Sequence, residues 1–275
     1  MKENDAPSSD RLRLSQYKDG TNLAQRASIH ERFGTNPQGW LAWVFDQLEC
    51  TNEASILEVG CGPGLLWQHN AAKIANGWAL YLSDFSSGML TEARNRVTLP
   101  GRCSFLSSDA QALPFPEASF DLVIANHMLY HVADIQRVLS EIRRVMRPGA
   151  KLFAATNGKD HLVEIAELAS VAKSERHSET AVAFQASIAT FDLDTGPKAL
   201  RALFPSVQIR RYEDSLSVTD AEAIVRYVQS SPILHLRERE LARLRILLTD
   251  QIRARGVITV RKDAGLLIAL KRNGA

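Results

Sequence analysis

The run Ile56-Leu-Glu-Val-Gly-Cys-Gly-Pro-Gly64 constrains the fold more than any other stretch of this chain. Ile56, Leu57 and Val59 suit a strand buried on both faces of a parallel sheet. Gly60, Gly62 and Gly64 then remove every Cβ where the backbone has to turn sharply and approach a small molecule closely. A phosphate-binding loop would continue to a Gly-Lys-Ser/Thr ending, whereas Leu65, Leu66 and Trp67 follow here and no lysine is placed to neutralise phosphate. A dinucleotide turn spaces its glycines Gly-x-Gly-x-x-Gly and keeps the helix N-terminus open for pyrophosphate. Here the glycines alternate, and Glu58 adds negative charge beside them. The turn therefore matches a nucleotide-like ligand that carries a cationic or amino group.

The pieces that follow support this. Trp78-Ala-Leu-Tyr-Leu-Ser-Asp84 reads as a second strand ending in an acid, the position from which an α/β nucleotide fold holds ribose hydroxyls. Cys103 to Ser107 reads as a third strand and runs into Ser108-Asp109-Ala-Gln-Ala-Leu-Pro-Phe115. Asp109 thus falls just past a strand's carboxyl end, placed to accept from an adenine amino group. A fourth strand, Phe120 to Asn126, continues into His127-Met-Leu-Tyr-His131. The helical stripe Ile135, Val138, Leu139, Ile142 and Val145 comes next, stopped by Pro148-Gly149 before a fifth strand to Thr156.

On these ordered motifs, residues from about 51 to 160 resemble the class I S-adenosylmethionine-dependent methyltransferases, particularly the ubiquinone-biosynthesis-like small-molecule branch. The resemblance implies a Rossmann-like, doubly wound α/β fold with a seven-stranded sheet of order 3-2-1-4-5-7-6 and an antiparallel last strand. It implies S-adenosylmethionine as cofactor and S-adenosylhomocysteine as its product. Gly60 and Gly62 would pass under the methionine moiety, Asp84 would hold the ribose, and Asp109 with Ala110 would meet the adenine. Glu58, Cys61, Phe85, Met89, Gln111 and Asn126 complete the expected cofactor set.

Outside this core, Asn22 to Phe33 and Pro37 to Leu48 read as helices, the second capped by Asn36 with Pro37 in its first turn. In the resembling family such helices lie across the cofactor's mouth as a lid. Leu162 to Ser174 reads as helical, followed by polar residues to Ala189, then a helix at Lys198 to Leu203 and a strand at Val207 to Tyr212. Thr219-Asp-Ala-Glu222 reads as a capping box opening a helix through Val228. A longer helix spans Leu236 to Arg255, and Gly265 to Leu270 closes the sheet. The expected organisation is one domain over 1–275: tail and lid at 1–50, cofactor core at 51–160, and substrate-side insertions at 157–195 and 219–256.

The 275 residues are 45% hydrophobic and 23% charged, ordinary for a soluble protein, and no apolar run approaches the roughly 20 residues of a membrane span. The polar N-terminus has no apolar stretch of a secretion signal, so a cytoplasmic protein is expected, as a monomer or homodimer. Cys50, Cys61 and Cys103 form neither metal-ligand spacing nor an even disulfide set, which predicts free thiols and no metal. A net charge of +2 gives no global field for nucleic acid, and the arginines between 237 and 255 alternate with Glu238 and Glu240 as on a solvated helix face.

A sulfonium methyl is already electrophilic, so the protein's task is to align a nucleophile and exclude water. A base is needed only if the acceptor must lose a proton, and three histidines fall at strand ends: His127, His131 and His161. His161 leads as base, and His127 with His131 would share one helical face. Tyr17, His30, Trp43, His127, Tyr130 and His161 are the candidate acceptor contacts, although core packing also accounts for Trp40 and Trp43. Enzymes that methylate planar amines of bases or amides show Asn/Asp-Pro-Pro-Tyr/Phe where this chain has Asn126-His-Met-Leu, which favours a small organic acceptor. RNA or protein methylation and non-catalytic cofactor binding are the alternatives, with a dehydrogenase further off.

Overall fold

In the computed structural model, which describes residues 21–99, 102–175 and 177–272, the strands form one seven-stranded sheet in the order β3-β2-β1-β4-β5-β7-β6. The strands are β1 (Glu53–Val59), β2 (Gly77–Asp84), β3 (Arg102–Ser107), β4 (Phe120–Asn126), β5 (Met146–Asn157), β6 (Ser206–Val218) and β7 (Ile258–Leu270). The first five run parallel, and β7 inserts antiparallel between β5 and β6. This is the expected order. The helices are α1 (Thr21–Phe33), α2 (Trp40–Asp46), α3 (Leu65–His69), α4 (Ser87–Arg96), α5 (Ile135–Val145), α6 (Val163–Ala172), α7 (Glu179–Ala186), α8 (Gly196–Arg201), α9 (Ala221–Ser230) and α10 (Glu238–Arg255). No helix among the described residues is long and apolar enough to cross a membrane.

Hydrophobic patterning explains the layers. Val138, Leu139, Ile142 and Val145 of α5 are fully buried with Leu57, Val123 and Leu152 on one sheet face. Ile56, Leu80, Leu82 and Phe153 point to the other face, against Val44 and Phe45 of α2 and Trp67 of α3. Burying a side chain of this size contributes roughly 1.5–3 kcal/mol each.

A third cluster lies beyond the sheet. Pairing of β5 with β7 stops at Asn157↔Ala264, but β6 and β7 stay paired from Glu213↔Asp263 to Val218↔Ile258. Those six further pairs make a ribbon extending about 20 Å past the carboxyl edge of the parallel strands. Leu216, Val218, Ile258 and Val260 of the ribbon pack with Ile29 of α1, Ile165 of α6, Ile224 of α9 and Leu244 of α10. The sequence reading ended β6 at Tyr212 and began β7 at Gly265, because each extension alternates with charged residues that by themselves read as loop.

Several boundaries shift for local reasons. Helix α2 begins at Trp40 rather than Pro37; Gly39 caps it, and the Asn36 side chain instead accepts the Gln38 N–H in a turn. Helix α9 is capped by Asp220, whose carboxylate accepts the Glu222 N–H, rather than by Thr219. The polar stretch before Ala189 contains α7, packed on α6 through Ala181.

Candidate active site

Strand β1 delivers its glycines to the carboxyl edge, with Gly60 and Gly62 at φ 70° and 54°. The Gly62 N–H donates to Asp84 Oδ2 at 2.9 Å, and the Ser86 N–H donates to Asp84 Oδ1 at 2.8 Å. Asp84 therefore clips the loop to the end of β2 while each oxygen keeps lone-pair capacity for a ligand hydroxyl. Glu58, only 2% exposed, accepts from Trp67 Nε1 at 2.6 Å and from Asn126 Nδ2 at 3.0 Å. It holds Asn126 with Oδ1 buried and unpartnered, and Ser108 Oγ beside Asp109 is equally orphaned. Phe85 is exposed next to Asp84, Met89 and Ala110 are buried, and Asp109 turns the chain by accepting the Gln111 N–H at 2.8 Å. A Cβ built on Gly62 would meet only Leu23 Cδ2 of α1, at 3.8 Å, while one on Gly60 would press on Met128. The set fits an adenosyl ligand: acidic acceptors for ribose, an exposed ring, buried polar atoms lacking partners, and room beside Gly62 bounded only by Leu23. Cys61 is buried in the same turn, its N–H donating to Ser83 O.

The other half of the site begins one residue after Asn126. His127 adopts φ 50°, and its ring lies 5.2 Å from Trp40. A single 3-10 turn, Leu129–His131, follows, so His127 and His131 do not share a helical face; Tyr130 packs against His131 at 4.4 Å instead. Trp40, Trp43 and Tyr212 form an aromatic group with centroids 5.1–5.4 Å apart. His161 is buried rather than in an open loop, stacked on His30 at 5.8 Å. Lys262 donates to Asp214 Oδ2 at 2.6 Å and stands 4.9 Å from the Tyr212 ring centroid. A cavity of about 310 Å³ on the ribbon is lined by Tyr212, Asp214 and Lys262 together with the charged Asp160, Arg211, Glu213, Arg261 and Asp263, and by neither the histidines nor the glycine turn. His30, Trp43, His127 and His161 thus come together, Tyr130 and His131 flank them, and Tyr17 lies outside the described residues.

Residues 57–154 match the family model of a methyltransferase domain. That segment, about a third of the chain, is thus similar to a methyltransferase domain. A ubiquinone/menaquinone biosynthesis C-methyltransferase from Hahella chejuensis is 32% identical over 117 residues, 42% of this chain and 47% of that one. A malonyl-acyl-carrier-protein O-methyltransferase from Enterobacter lignolyticus is 28% identical over 193 residues, 69% of each chain. The match thus spans about half the length of the first relative and about two thirds of the second. A phosphoethanolamine N-methyltransferase from Haemonchus contortus, solved with S-adenosylmethionine, shares the fold with a TM-score of 0.61 at 17% identity, over 96% of this chain and 60% of that one.

Electrostatics separate the two halves of the site. Burial pushes Glu58 up to about 8, against the pull of the Trp67 and Asn126 hydrogen bonds and with help from the Asp84 charge. Burial also raises Asp84, opposed by the Ser86 and Gly62 amides. On the acceptor side, burial and then the Lys262 charge bring His30 down to about 3 and His127 to about 4. Burial and then Arg26 lower His131 to about 4. His161 is held well below the usual imidazole range by burial, its histidine neighbours and Lys262. These imidazoles are neutral and resist taking a proton, which weakens the case for His161 as base. Tyr212, Asp214 and Lys262 were absent from the sequence candidates: the alternation of both strands was readable, but their cross-strand pairing was not.

Proposed function

We propose that the protein transfers the methyl group of S-adenosylmethionine to a small organic acceptor seated between the glycine turn and the Tyr212–His161 cluster. The observation that carries this is the end of β4. Asn126 is bonded to Glu58 under the cofactor turn, and the next residue, His127, packs on Trp40 in the acceptor wall. Helix α1 bridges both halves, with Leu23 above Gly62 and His30 against His161, seven residues or about 10 Å further along.

In this reading the bound cofactor supplies an activated methyl on sulfur, and the chain's residues do the rest. Asp84 and Asp109 hold the nucleoside end, Glu58 and Asn126 anchor the turn, and the aromatic group with α1 as lid excludes water. Positioning of this kind supplies roughly 7–11 kcal/mol in well-oriented systems. A macromolecular substrate is disfavoured by α10: Arg245 is paired with Glu222, Arg253 with Asp250, and Arg243 donates to Ser174. We take the chain as a single domain, with 157–195 and 219–256 shaping the acceptor side.

Incubation with methyl-labelled S-adenosylmethionine and pools of small phenols, enols and amines, beside RNA and protein fractions, tests the assignment. Label is expected in the small organic fraction. Label confined to RNA or protein would overturn it.

A further inference from the structure

We propose that the hydrogen-bond chain Trp67–Glu58–Asn126 reads the cofactor's α-ammonium: Asn126 Oδ1 accepts it, Glu58 and Trp67 act behind Asn126 as positioning residues, and binding drives one proton out of Glu58. This rests on the S-adenosylmethionine reading above and extends it from the nucleoside end of the ligand to the amino-acid end.

Glu58 lacks a counter-ion. It is 2% exposed, and neutral donors hold both of its oxygens: Trp67 Nε1 on Oε2 at 2.6 Å and Asn126 Nδ2 on Oε1 at 3.0 Å. Asp84, at the end of β2, adds a second negative charge beside it, and burial keeps Cys61 in the turn a neutral thiol. Among the described residues no cation acts on Glu58. A buried carboxylate in such a place is stable as an ion only when a positive group comes to it.

An orphaned oxygen marks where that group arrives. Asn126 gives an amide N–H to Glu58, which leaves its Oδ1 buried and without a partner among the described residues. Sheet order fixes the place: β4 lies on the far side of β1 from β2, so Asn126 stands two strand spacings, about 10 Å, from Asp84 across the glycine turn. A ligand whose ribose rests on Asp84 therefore puts its other end over Asn126. At that end of S-adenosylmethionine the cation with hydrogen to donate is the α-ammonium, since the sulfonium carries no N–H or O–H.

Charge and orientation are coupled along the chain. A protonated Glu58 has an O–H of its own to donate, and Asn126 Oδ1 takes it once the amide is turned over. An ionised Glu58 accepts the amide N–H instead and leaves Oδ1 to the ligand, which is the orientation of Asn126 here. Burial raises Glu58 to about 8, so the free protein holds the proton at neutral pH and the ligand takes the form that has released it to water. Trp67, fully buried, fixes Oε2 and so keeps Oε1 turned to Asn126.

The test is calorimetric titration of the full-length protein with S-adenosylhomocysteine, which keeps the ammonium, in buffers of different ionisation enthalpy. Near pH 7 it should release close to one proton, and affinity should rise roughly tenfold per pH unit from about pH 6 to about 8 and then level. His127, next to Asn126, is held down at about 4 and Cys61 well above its usual range, so neither titrates in this window. Glu58→Gln, isosteric with the protonated acid, should bind with no release and a flat pH profile. Methylthioadenosine, which keeps nucleoside and thioether but has no ammonium, should bind the unaltered protein roughly tenfold or more weakly and without release. Trp67→Phe should narrow that preference several-fold. No release from the unaltered protein, equal release with methylthioadenosine, or the same release in Glu58→Gln, which assigns the proton to Asp84, would each overturn the proposal. The two-ligand comparison decides even where Glu58→Gln does not fold. Failure of both ligands to bind would instead remove the cofactor reading beneath it.

Discussion

Asp84→Ala is expected to weaken S-adenosylhomocysteine binding by roughly 10- to 150-fold, the loss of one charge-assisted hydrogen bond worth about 1.5–3 kcal/mol. Asp84 ends β2 with its carboxylate facing the glycine turn, and its two oxygens each already hold one backbone amide, from Gly62 and Ser86. Removing it therefore deletes the proposed ribose acceptor and also releases the turn that shapes the site. Asp84→Asn separates the effects: it keeps an acceptor for one of the two amides but removes the charge. Calorimetry of each variant, with circular dichroism to check the fold, reads the result. Affinity unchanged in Asp84→Ala would mean that the ribose is held elsewhere.

Acidification of the ligand-free protein is the second large effect. His30, His127 and His131 are depressed from 6.5 to about 3, 4 and 4, so the unfolded chain binds more protons than the folded one between pH 6.5 and 4. Their contribution is complete above 6.5 and is lost as pH falls. Each unit of depression corresponds to about 1.36 kcal/mol; the rings keep an exposed edge where water screens part of this. Acting together, the three histidines make acidification the largest pH effect on stability expected of this chain. Glu58 acts oppositely: raised from 4.5 to about 8, it stabilises fully below 4.5, and that contribution fades as pH climbs to 8. Urea unfolding across this range should show maximal stability near pH 6.5, a steep fall on the acid side and a shallow one towards pH 8. Stability that is level from pH 6.5 to 4.5 would show that the histidines are not buried as neutral groups.

The parallel half of the fold was legible in the sequence because each strand there carries its own signal. Phe120 to Asn126 was bounded as observed, since Phe120 and the apolar run Leu122 to Ala125 are buried on both faces, interrupted only by Asp121. Asp84, Asp109 and the glycines could be located by the same local logic, since they sit where a strand stops. The acceptor half was harder because its information is non-local. Lys262 and Asp214 mean nothing until β6 and β7 are set in register, where they face each other across the ribbon. His161 looked like a loop residue until α1 brought His30 onto its ring. The helical spacing of His127 and His131 misled because His127 takes a left-handed conformation that no residue pattern there announces.

Isothermal titration of S-adenosylmethionine into the purified protein, with NAD and ATP as controls, tests the central claim most directly. Saturable binding of S-adenosylmethionine alone is the predicted result, because the turn offers carboxylates and no phosphate-neutralising lysine. Binding of NAD or ATP in its place would contradict the account.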